Sequence, residues 1–115
     1  MGSARNRTAG HDYERDVIKL LREMGYEAVS SRYESKRMDD EGIDIVSDFP
    51  FKIQCKCTVN NPNPHDLLTS TAADVIFHRK TEKNGTRFYK VGEYVTLSQE
   101  DFLSLVGKAY QTNKT

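Results

Sequence analysis

Apolar residues recur three and four positions apart in the first part of the chain, which is the spacing of one face of an α-helix. Thr8 precedes this pattern as a candidate N-cap, and Gly25 follows its last apolar residue, where a left-handed residue often ends a helix. We therefore predict a first helix that begins at Thr8 or Ala9 and ends at Met24. The apolar positions that define it are Tyr13, Val17, Leu20, Leu21 and Met24.

Short apolar and β-branched runs in the rest of the chain have the length of β-strands. The second and third of these runs are separated by Asp48-Phe49-Pro50, so we expect them to form a hairpin. The prolines and asparagines of residues 60–64 are a firm break after that hairpin. The predicted strands cover residues 28–31, 43–47, 51–58, 75–77, 88–91 and 94–97.

Two further helices and one long loop complete the prediction. A short helix is expected within residues 65–73, and a closing helix begins after its candidate cap, Ser98. Residues 33–42 have only Tyr33 and Met38 as apolar content, so we expect a mobile loop there. The apolar face of the closing helix consists of Phe102, Leu103, Leu105 and Val106.

This order of elements predicts a central mixed β-sheet flanked by helices, an α/β fold, although the order alone also admits α+β. The 115 residues suit one domain, residues 1–115, with flexible ends at 1–7 and 111–115. No apolar run reaches the roughly 20 residues of a membrane-spanning helix, and no secretory signal is visible. We expect no membrane partner and a cytoplasmic location.

The two cysteines, Cys55 and Cys57, lie in one predicted strand. Their side chains share a face, but residues at this spacing rarely form a disulfide without strain. The histidines at positions 11, 65 and 78 do not lie at the spacings usual for zinc ligands. We interpret both cysteines as reduced, small apolar residues of a cytosolic protein.

The formal net charge is zero, so the chain as a whole is not attracted to a polyanion. The distribution is uneven, because residues 79–90 hold five basic residues against one acid, whereas acids gather between residues 39 and 48. An acidic focus between basic flanks is typical of a metal-using enzyme that acts on nucleic acid. It is equally typical of an ordinary solvated surface.

Three polar side chains on the two middle strands are placed to converge. Successive strand residues face opposite sides, so Gln54 and Lys56 share one face of the sheet. Asp44 points away from its apolar neighbours, and in a hairpin of the two strands it meets Gln54 and Lys56 at one edge. A carboxylate, an amide oxygen and an ammonium group would then border one small volume.

Such a set suits metal-assisted phosphodiester hydrolysis. Mg²⁺ prefers oxygen ligands, commonly one or two carboxylates with several waters. Asp44 can supply the charge, and the Gln54 side-chain oxygen and the Cys55 backbone carbonyl can complete the protein ligands. Lys56 can position or help deprotonate the attacking water and stabilise charge on the phosphate. Glu14, at the margin of the sheet-facing stripe of the first helix, can reach the metal directly or through water.

Within residues 7–58, the segments Gly10-x-x-x-Glu14-Arg15, Leu20-Leu21, Gly25-Tyr26, Gly42-Ile43-Asp44-Ile45 and Ile53-Gln54-Cys55-Lys56 form a recognisable series. It resembles the PD-(D/E)XK nuclease superfamily, and within it the archaeal-type Holliday junction resolvases, which also occur in phages. The resemblance implies a restriction-endonuclease-like core and a homodimer that nicks four-way DNA junctions with Mg²⁺, or Mn²⁺ as a substitute. It also implies a prokaryotic, archaeal or phage-encoded protein.

The resemblance assigns roles to particular residues. Glu14, Asp44 and Lys56 match the helix-one glutamate, the strand aspartate and the final lysine of the family, and with Gln54 they are the expected catalytic set. Ser30 or Ser31 falls where resolvases carry a serine that opens the loop before the aspartate. The residues expected to contact DNA are Arg5, Arg7, Arg15, Ser30, Ser31, Arg32, Lys36, Arg37, Arg79 and Lys80.

The chain departs from the family pattern at two places. Gln54 stands where the family usually has glutamate, which removes one negative charge from the metal site. The loop of residues 33–42 is acidic at its end and not glycine-rich, which bears on the preference for junctions. Two alternatives therefore remain beside a junction resolvase: another restriction or repair endonuclease on the same core, and a catalytically weakened DNA-binding module.

Overall fold

A computed structural model describes residues 4–110, with side chains from residue 9 onward. Its first helix, α1 (Ala4–Glu23), begins earlier than the predicted start, and Thr8 lies inside the helix instead of capping it. Residues 4–7 contain neither proline nor glycine, so nothing interrupts propagation of the helix toward the N-terminus. The predicted end is confirmed: Gly25 follows with a φ of 98°, and its amide donates to the Arg22 carbonyl at 3.0 Å.

One mixed five-stranded sheet forms the centre of the molecule, as the α/β prediction expects. Its strands lie side by side in chain order, and only the third and fourth pair in parallel. A connection that crosses over between those two strands makes the sheet mixed. The strands are β1 (Ala28–Ser30), β2 (Ile45–Ser47), β3 (Ile53–Thr58), β4 (Val75–Asn84) and β5 (Arg87–Leu97).

The last two predicted strands are one continuous strand, which corrects the prediction. Lys80 pairs with Gly92 and the next residue, Thr81, pairs with Lys90, so Val91 is an extra residue on β5. A β-bulge accommodates one such residue without ending the ladder. Gly92 therefore does not break the strand, although its sequence position suggests an interruption.

Residues 33–42 are not the loop that the sequence predicts. Most of them belong to two short helices, α2 (Ser31–Glu34) and α3 (Lys36–Asp40). The hydroxyls of Ser30 and Ser35 cap these helices by accepting the Arg32 and Met38 amides. Low apolar content misled the prediction, because two serine caps suffice to start helices of one turn.

Two further helices complete the chain, α4 (Pro64–Thr69) and α5 (Gln99–Ala109), near the predicted positions. The predicted cap of α5 is confirmed, since the Ser98 hydroxyl accepts the Asp101 amide at 3.0 Å. The predicted apolar face of α5 is not buried: Phe102 and Leu103 are 52% and 56% exposed. Among the described residues, no helix has the length and apolar character needed to cross a membrane.

Helices pack on both faces of the sheet. On one face, α1 buries Tyr13, Val17 and Leu21 of its predicted stripe against Ile45 and Ile53. The other two predicted positions, Leu20 and Met24, are 54% and 68% exposed, which corrects the prediction. On the other face, Leu67 of α4 packs with Ile43, Ala73 and Ile76. Each fully buried valine or isoleucine contributes about 1.5–3 kcal/mol to stability. This core fixes α1, β2 and β3 relative to one another, and the residues of the predicted site lie on these three elements.

Gly42 allows the chain to enter β2 close to its neighbours. Its φ is 82°, and a Cβ atom built there would lie 2.5 Å from Thr71 Cγ2. Only glycine satisfies both conditions without strain. The Ala72 amide also donates to the Glu41 carbonyl at 3.0 Å, which holds the two segments together three residues before Asp44.

Candidate active site

Asp44 lies where β2 and β3 separate. The two strands pair at Ile45 and Ile53, and the Asp44 amide donates to the Ile53 carbonyl at 2.8 Å. Two residues further along β3, the Asp44 side chain replaces the backbone of β2 as the hydrogen-bond acceptor. Its Oδ2 accepts the Cys55 amide at 2.8 Å. The Asp44 carbonyl accepts the Ser31 amide at 2.9 Å. Backbone bonds on both sides therefore hold this carboxylate in the gap where β2 and β3 separate.

Burial makes the Asp44 carboxylate unusually weak as an acid. Desolvation raises the pKa of Asp44 from an ordinary 3.8 to about 6, against the hydrogen bond from the Cys55 amide, which lowers it. The negative charges of Glu14 and Asp39 raise the pKa further, and the positive charge of Lys56 lowers it. The predicted residues Glu14, Asp44 and Lys56 are thus close enough to interact electrostatically. Strongly perturbed carboxylates in clefts are common at functional sites.

Gln54 carries a buried oxygen atom that has no hydrogen-bond partner. Gln54 and Lys56 share one face of β3, as predicted, and both are partly buried. The Gln54 Oε1 atom is fully enclosed, yet no described residue donates to it. A buried acceptor without a donor costs about 1–3 kcal/mol. An oxygen held in this way is suited to accept a bond from a group outside the chain.

The backbone of Cys55 faces the same gap between β2 and β3. A strand residue directs its N–H and C=O to the same side, and the Cys55 N–H points to Asp44. The Cys55 carbonyl therefore also points to the side of β2, where β2 has diverged. Its thiol packs with the α1 core on the sheet face, and burial raises the pKa of that thiol well above its usual value. Both cysteines are free, as predicted.

Glu14 is buried, with an exposure of 4%, and does not lie on a solvated helix surface. Its partner is the predicted DNA contact Arg32, whose Nη2 donates to Glu14 Oε1 at 3.2 Å. The Arg32 guanidinium also lies 3.4 Å from His11 Nδ1 and 5.2 Å from the centre of the Tyr33 ring. Sequence spacing along α1 could not identify this partner, because Arg32 comes from α2.

Ser30 and Ser31 occupy two different environments. Ser30 caps α2, whereas Ser31 is fully buried and its hydroxyl has no partner among the described residues. Ser31 lies one hydrogen bond from Asp44, through its amide. Two unpartnered buried oxygens, one on Gln54 and one on Ser31, therefore flank the backbone that positions the Asp44 carboxylate.

The other predicted DNA contacts divide into occupied and exposed groups. Arg79 is fully engaged: it bonds Asp16 and Glu93, each at 2.8 Å, and lies 4.5 Å from the centre of the Tyr13 ring. The Lys80 ammonium is bonded to the Val59 carbonyl. Lys36 and Arg15 are exposed and pair locally with Asp40 and Asp12, and Arg37 is exposed on α3. The side chains of Arg5 and Arg7 lie outside the described residues.

The ligand set available at the site contains few charges. Within residues 9–110, no three His, Cys, Asp or Glu side chains come together as a metal-binding group. The predicted set consists of two carboxylates, one amide oxygen and one backbone carbonyl, and such sets of oxygen atoms suit hard cations. Asp39 adds charge near Asp44 without being one of the predicted ligands. The sequence gives no signal for it, since the α3 helix positions it.

Neither a family model, nor a curated protein, nor a solved structure matches the chain.

Proposed function

We propose that the chain is a Mg²⁺-dependent DNA endonuclease with a restriction-endonuclease-like core. The observation that carries the proposal is the unpartnered Gln54 Oε1, one residue from the amide that holds the desolvated Asp44 carboxylate. A divalent cation would relieve both deficits, since it gives the oxygen a partner and the carboxylate a counter-charge. These buried oxygen atoms fit a hard cation and not zinc, because the Cys55 thiol packs with the α1 core and Cys57 shares that face of β3.

Each residue of the set has a distinct role in phosphodiester hydrolysis. Asp44, Gln54 and the Cys55 carbonyl would hold the ion, with Glu14 acting directly or through water. A magnesium ion bound there would bring positive charge to the scissile phosphate and lower the pKa of a water molecule. Lys56 would orient the attacking water and donate hydrogen bonds to the phosphate oxygens. Arg32 would keep the buried Glu14 carboxylate oriented until substrate binds.

The proposed substrate is branched DNA, and the preferred form is a four-way junction. The resemblance to resolvases supports this choice. The homodimer proposed below supports it as well, because two copies related by two-fold symmetry can act on two strands of a junction. The test is gel-resolved cleavage of a synthetic junction beside a linear duplex with matching arms, with Mg²⁺, Mn²⁺ or chelator. Paired nicks in the junction alone, and only with metal, are expected. Cleavage of both substrates would support the nuclease proposal and contradict the proposed preference for junctions.

A non-catalytic DNA-binding module is the second candidate. The ion pair between Glu14 and Arg32 favours it, because a glutamate so engaged is less available to a metal. The same gel assay separates the two candidates when it is paired with a mobility-shift measurement. Junction binding without cleavage in either metal would support the binding module.

We also propose that the protein acts as a homodimer. Five large apolar side chains of β5, α5 and the residue after α5 are between 37% and 77% exposed, and we call them the β5–α5 apolar surface: Tyr94, Phe102, Leu103, Val106 and Tyr110. With about 100 Å² from each half-exposed side chain, they offer roughly 500 Å², the larger part of the ~800 Å² that each partner contributes to a standard interface. β5 is also an edge strand, which a second copy can pair with.

Leu103→Asp is expected to convert the dimer into a monomer, because it places a charge in the centre of the β5–α5 apolar surface. Light scattering after size exclusion should then report 13.2 kDa instead of twice that mass. Ser104→Asp adds the same charge at the neighbouring exposed residue and should leave the dimer intact. A Leu103→Asp protein with wild-type mass would reject this surface as the interface.

Gln54→Glu is expected to keep or improve cleavage at low Mg²⁺, because it adds a carboxylate ligand. Gln54→Met, of similar size but without the oxygen, should raise the Mg²⁺ concentration needed for half-maximal cleavage by 10-fold or more, on the order of a lost ligand. The measurement is a Mg²⁺ titration of the cleavage rate for the three proteins. A folded but inactive Gln54→Glu protein would show that the amide has a different role.

A further inference from the structure

The β4–β5 hairpin extends well beyond the rest of the sheet. The last residue of β3, Thr58, pairs with Lys80, and from Thr81 onward the two strands pair only with each other. The pairing continues to Asn84 and Arg87, and Gly85, with a φ of 66°, is the first of two turn residues. A glycine at that position suits a type II′ turn. We call residues 81–90 the hairpin arm.

The hairpin arm is anchored at its base and packed along one side. The Thr81 hydroxyl donates to the carbonyl of Thr58, the last residue of β3, at 3.2 Å. The Lys83 ammonium lies 5.8 Å from the centre of the Phe88 ring on the opposite strand. A two-stranded hairpin alone is only marginally stable, so these contacts favour a defined shape.

Positive charge is available at the end of the arm and not at its base. The arm contains three cations, Lys83, Arg87 and Lys90, against one acid, Glu82. Among the described residues, neither Lys83 nor Arg87 has a carboxylate partner, whereas Lys90 pairs with Glu93 at 3.4 Å. The basic residues at the base, Arg79 and Lys80, are engaged within the protein. The two cations near the turn are therefore the ones that can meet an external polyanion.

The arm projects from the end of the sheet at which Lys56 lies. Lys56 is two residues before the end of β3, and the arm begins one residue pair beyond that end. A groove of about 980 Å³ separates the arm from the first turns of α1, with Arg87 and Tyr89 on one side and Ala9 on the other. Cys57 also lines this groove, which therefore lies on the face of the sheet opposite Lys56, and a ligand that follows the groove passes the end of β3.

The dimensions of the arm match a DNA groove. Four residues beyond the sheet extend about 13 Å at the rise of an antiparallel strand. The major groove of B-form DNA is about 8.5 Å deep and wide enough for a two-stranded β-ribbon. The arm is therefore long enough to reach the rim of the groove, where the two cations near the turn can meet the backbone phosphates.

We propose that the hairpin arm is a duplex-DNA-binding element, in which Lys83 and Arg87 contact backbone phosphates beside the cleavage site. This inference rests on the proposed function, because it takes DNA as the substrate. The arm adds no group to the chemistry. It holds one duplex segment in place while Asp44 and Lys56 act on a neighbouring phosphate.

The test is the salt dependence of DNA binding by a Lys83→Ala/Arg87→Ala variant. Fluorescence anisotropy with a labelled linear duplex and a labelled junction, in chelator so that no cleavage occurs, gives Kd over a series of salt concentrations. Loss of two phosphate contacts should reduce the slope of log K against log salt by about two for each bound arm. Kd at low salt should rise at least about 10-fold. Lys19→Ala/Lys52→Ala removes the same charge at exposed residues far from the arm and should change neither quantity appreciably.

The outcomes separate this inference from the proposed function. If the wild-type protein cleaves DNA and the arm variant binds like the control, the arm inference is wrong and the nuclease remains. If the wild-type protein binds DNA without cleaving it, and the arm variant shows the reduced slope of log K against log salt, the arm inference holds and the nuclease proposal fails. If the wild-type protein binds no DNA, both fail. Circular dichroism of the arm variant should match that of the wild-type protein, since both substituted side chains are exposed and the backbone pairing of the arm does not involve them.

Discussion

Asp44→Asn is expected to reduce the rate of DNA cleavage by about 10³-fold or more while the protein stays folded. Asparagine keeps a side-chain oxygen that can accept the Cys55 amide, so the local backbone need not change. It removes the negative charge that recruits the cation, and the neutral Gln54 next to this site cannot replace it. The measurement is single-turnover cleavage of the junction at saturating enzyme, which separates the chemical step from binding.

Asp48→Asn is the matched control for this experiment. Asp48 is an exposed aspartate whose Oδ1 also accepts a backbone amide, from Glu27, at 2.9 Å. The control should cleave at the wild-type rate. Lys56→Ala should lose cleavage as Asp44→Asn does, and both variants should keep much of the DNA affinity. Wild-type cleavage by either of these two variants would reject the proposed site.

The same Asp44→Asn substitution is expected to stabilise the metal-free protein at pH 8. The pKa of Asp44 is about 6 in the folded protein and near 3.8 when the carboxylate is solvated. Between these values the folded state binds more protons than the unfolded state, so the contribution of this group to stability falls as pH rises from about 4 to 6. Above pH 6 the folded protein carries a desolvated charge that asparagine removes.

The free energy of unfolding is expected to rise by roughly 1–2 kcal/mol at pH 8. A shift of two pKa units corresponds to about 3 kcal/mol at most, and the effect is smaller here because the side chain is partly exposed to solvent. For a domain of this size that raises Tm by about 5–10 °C. Thermal unfolding in chelator at pH 4.5 and pH 8 tests this: the gain should be present at pH 8 and small at pH 4.5. Added Mg²⁺ should stabilise the wild-type protein more than the variant. An Asp44→Asn protein that is less stable at pH 8 would contradict the proposed electrostatic strain.

Local patterns were sufficient to predict most elements. The helical spacing of Tyr13, Val17 and Leu21 identified the buried face of α1, and Gly25 identified its end. Strand alternation placed Gln54 and Lys56 on one face of β3. These predictions succeeded because backbone geometry alone fixes the period of each element and the direction of its side chains.

The predictions that were wrong concern residues that can either end an element or lie within it, because the two conformations have similar free energies. Thr8 can cap a helix, but the helix continues through it to Ala4. Residues 33–42 have too little apolar content to predict helices, yet Ser30 and Ser35 supply caps that stabilise two single turns. Gly92 can end a strand, but ladder pairing with Lys80 retains it within β5. Only the last of these cases was decided by contact with another element, the ladder between β4 and β5.

The sequence by itself determined the residue types of the site: one aspartate before a strand, a glutamine and a lysine two residues apart, and a glutamate on an amphipathic helix. Only the tertiary structure decided their electrostatic state. The pairing of Glu14 with Arg32, the burial that raises the pKa of Asp44 and the isolation of Gln54 Oε1 all involve residues from different elements. Burial and charge depend on what surrounds an atom in space, and residues distant in the chain supply those surroundings.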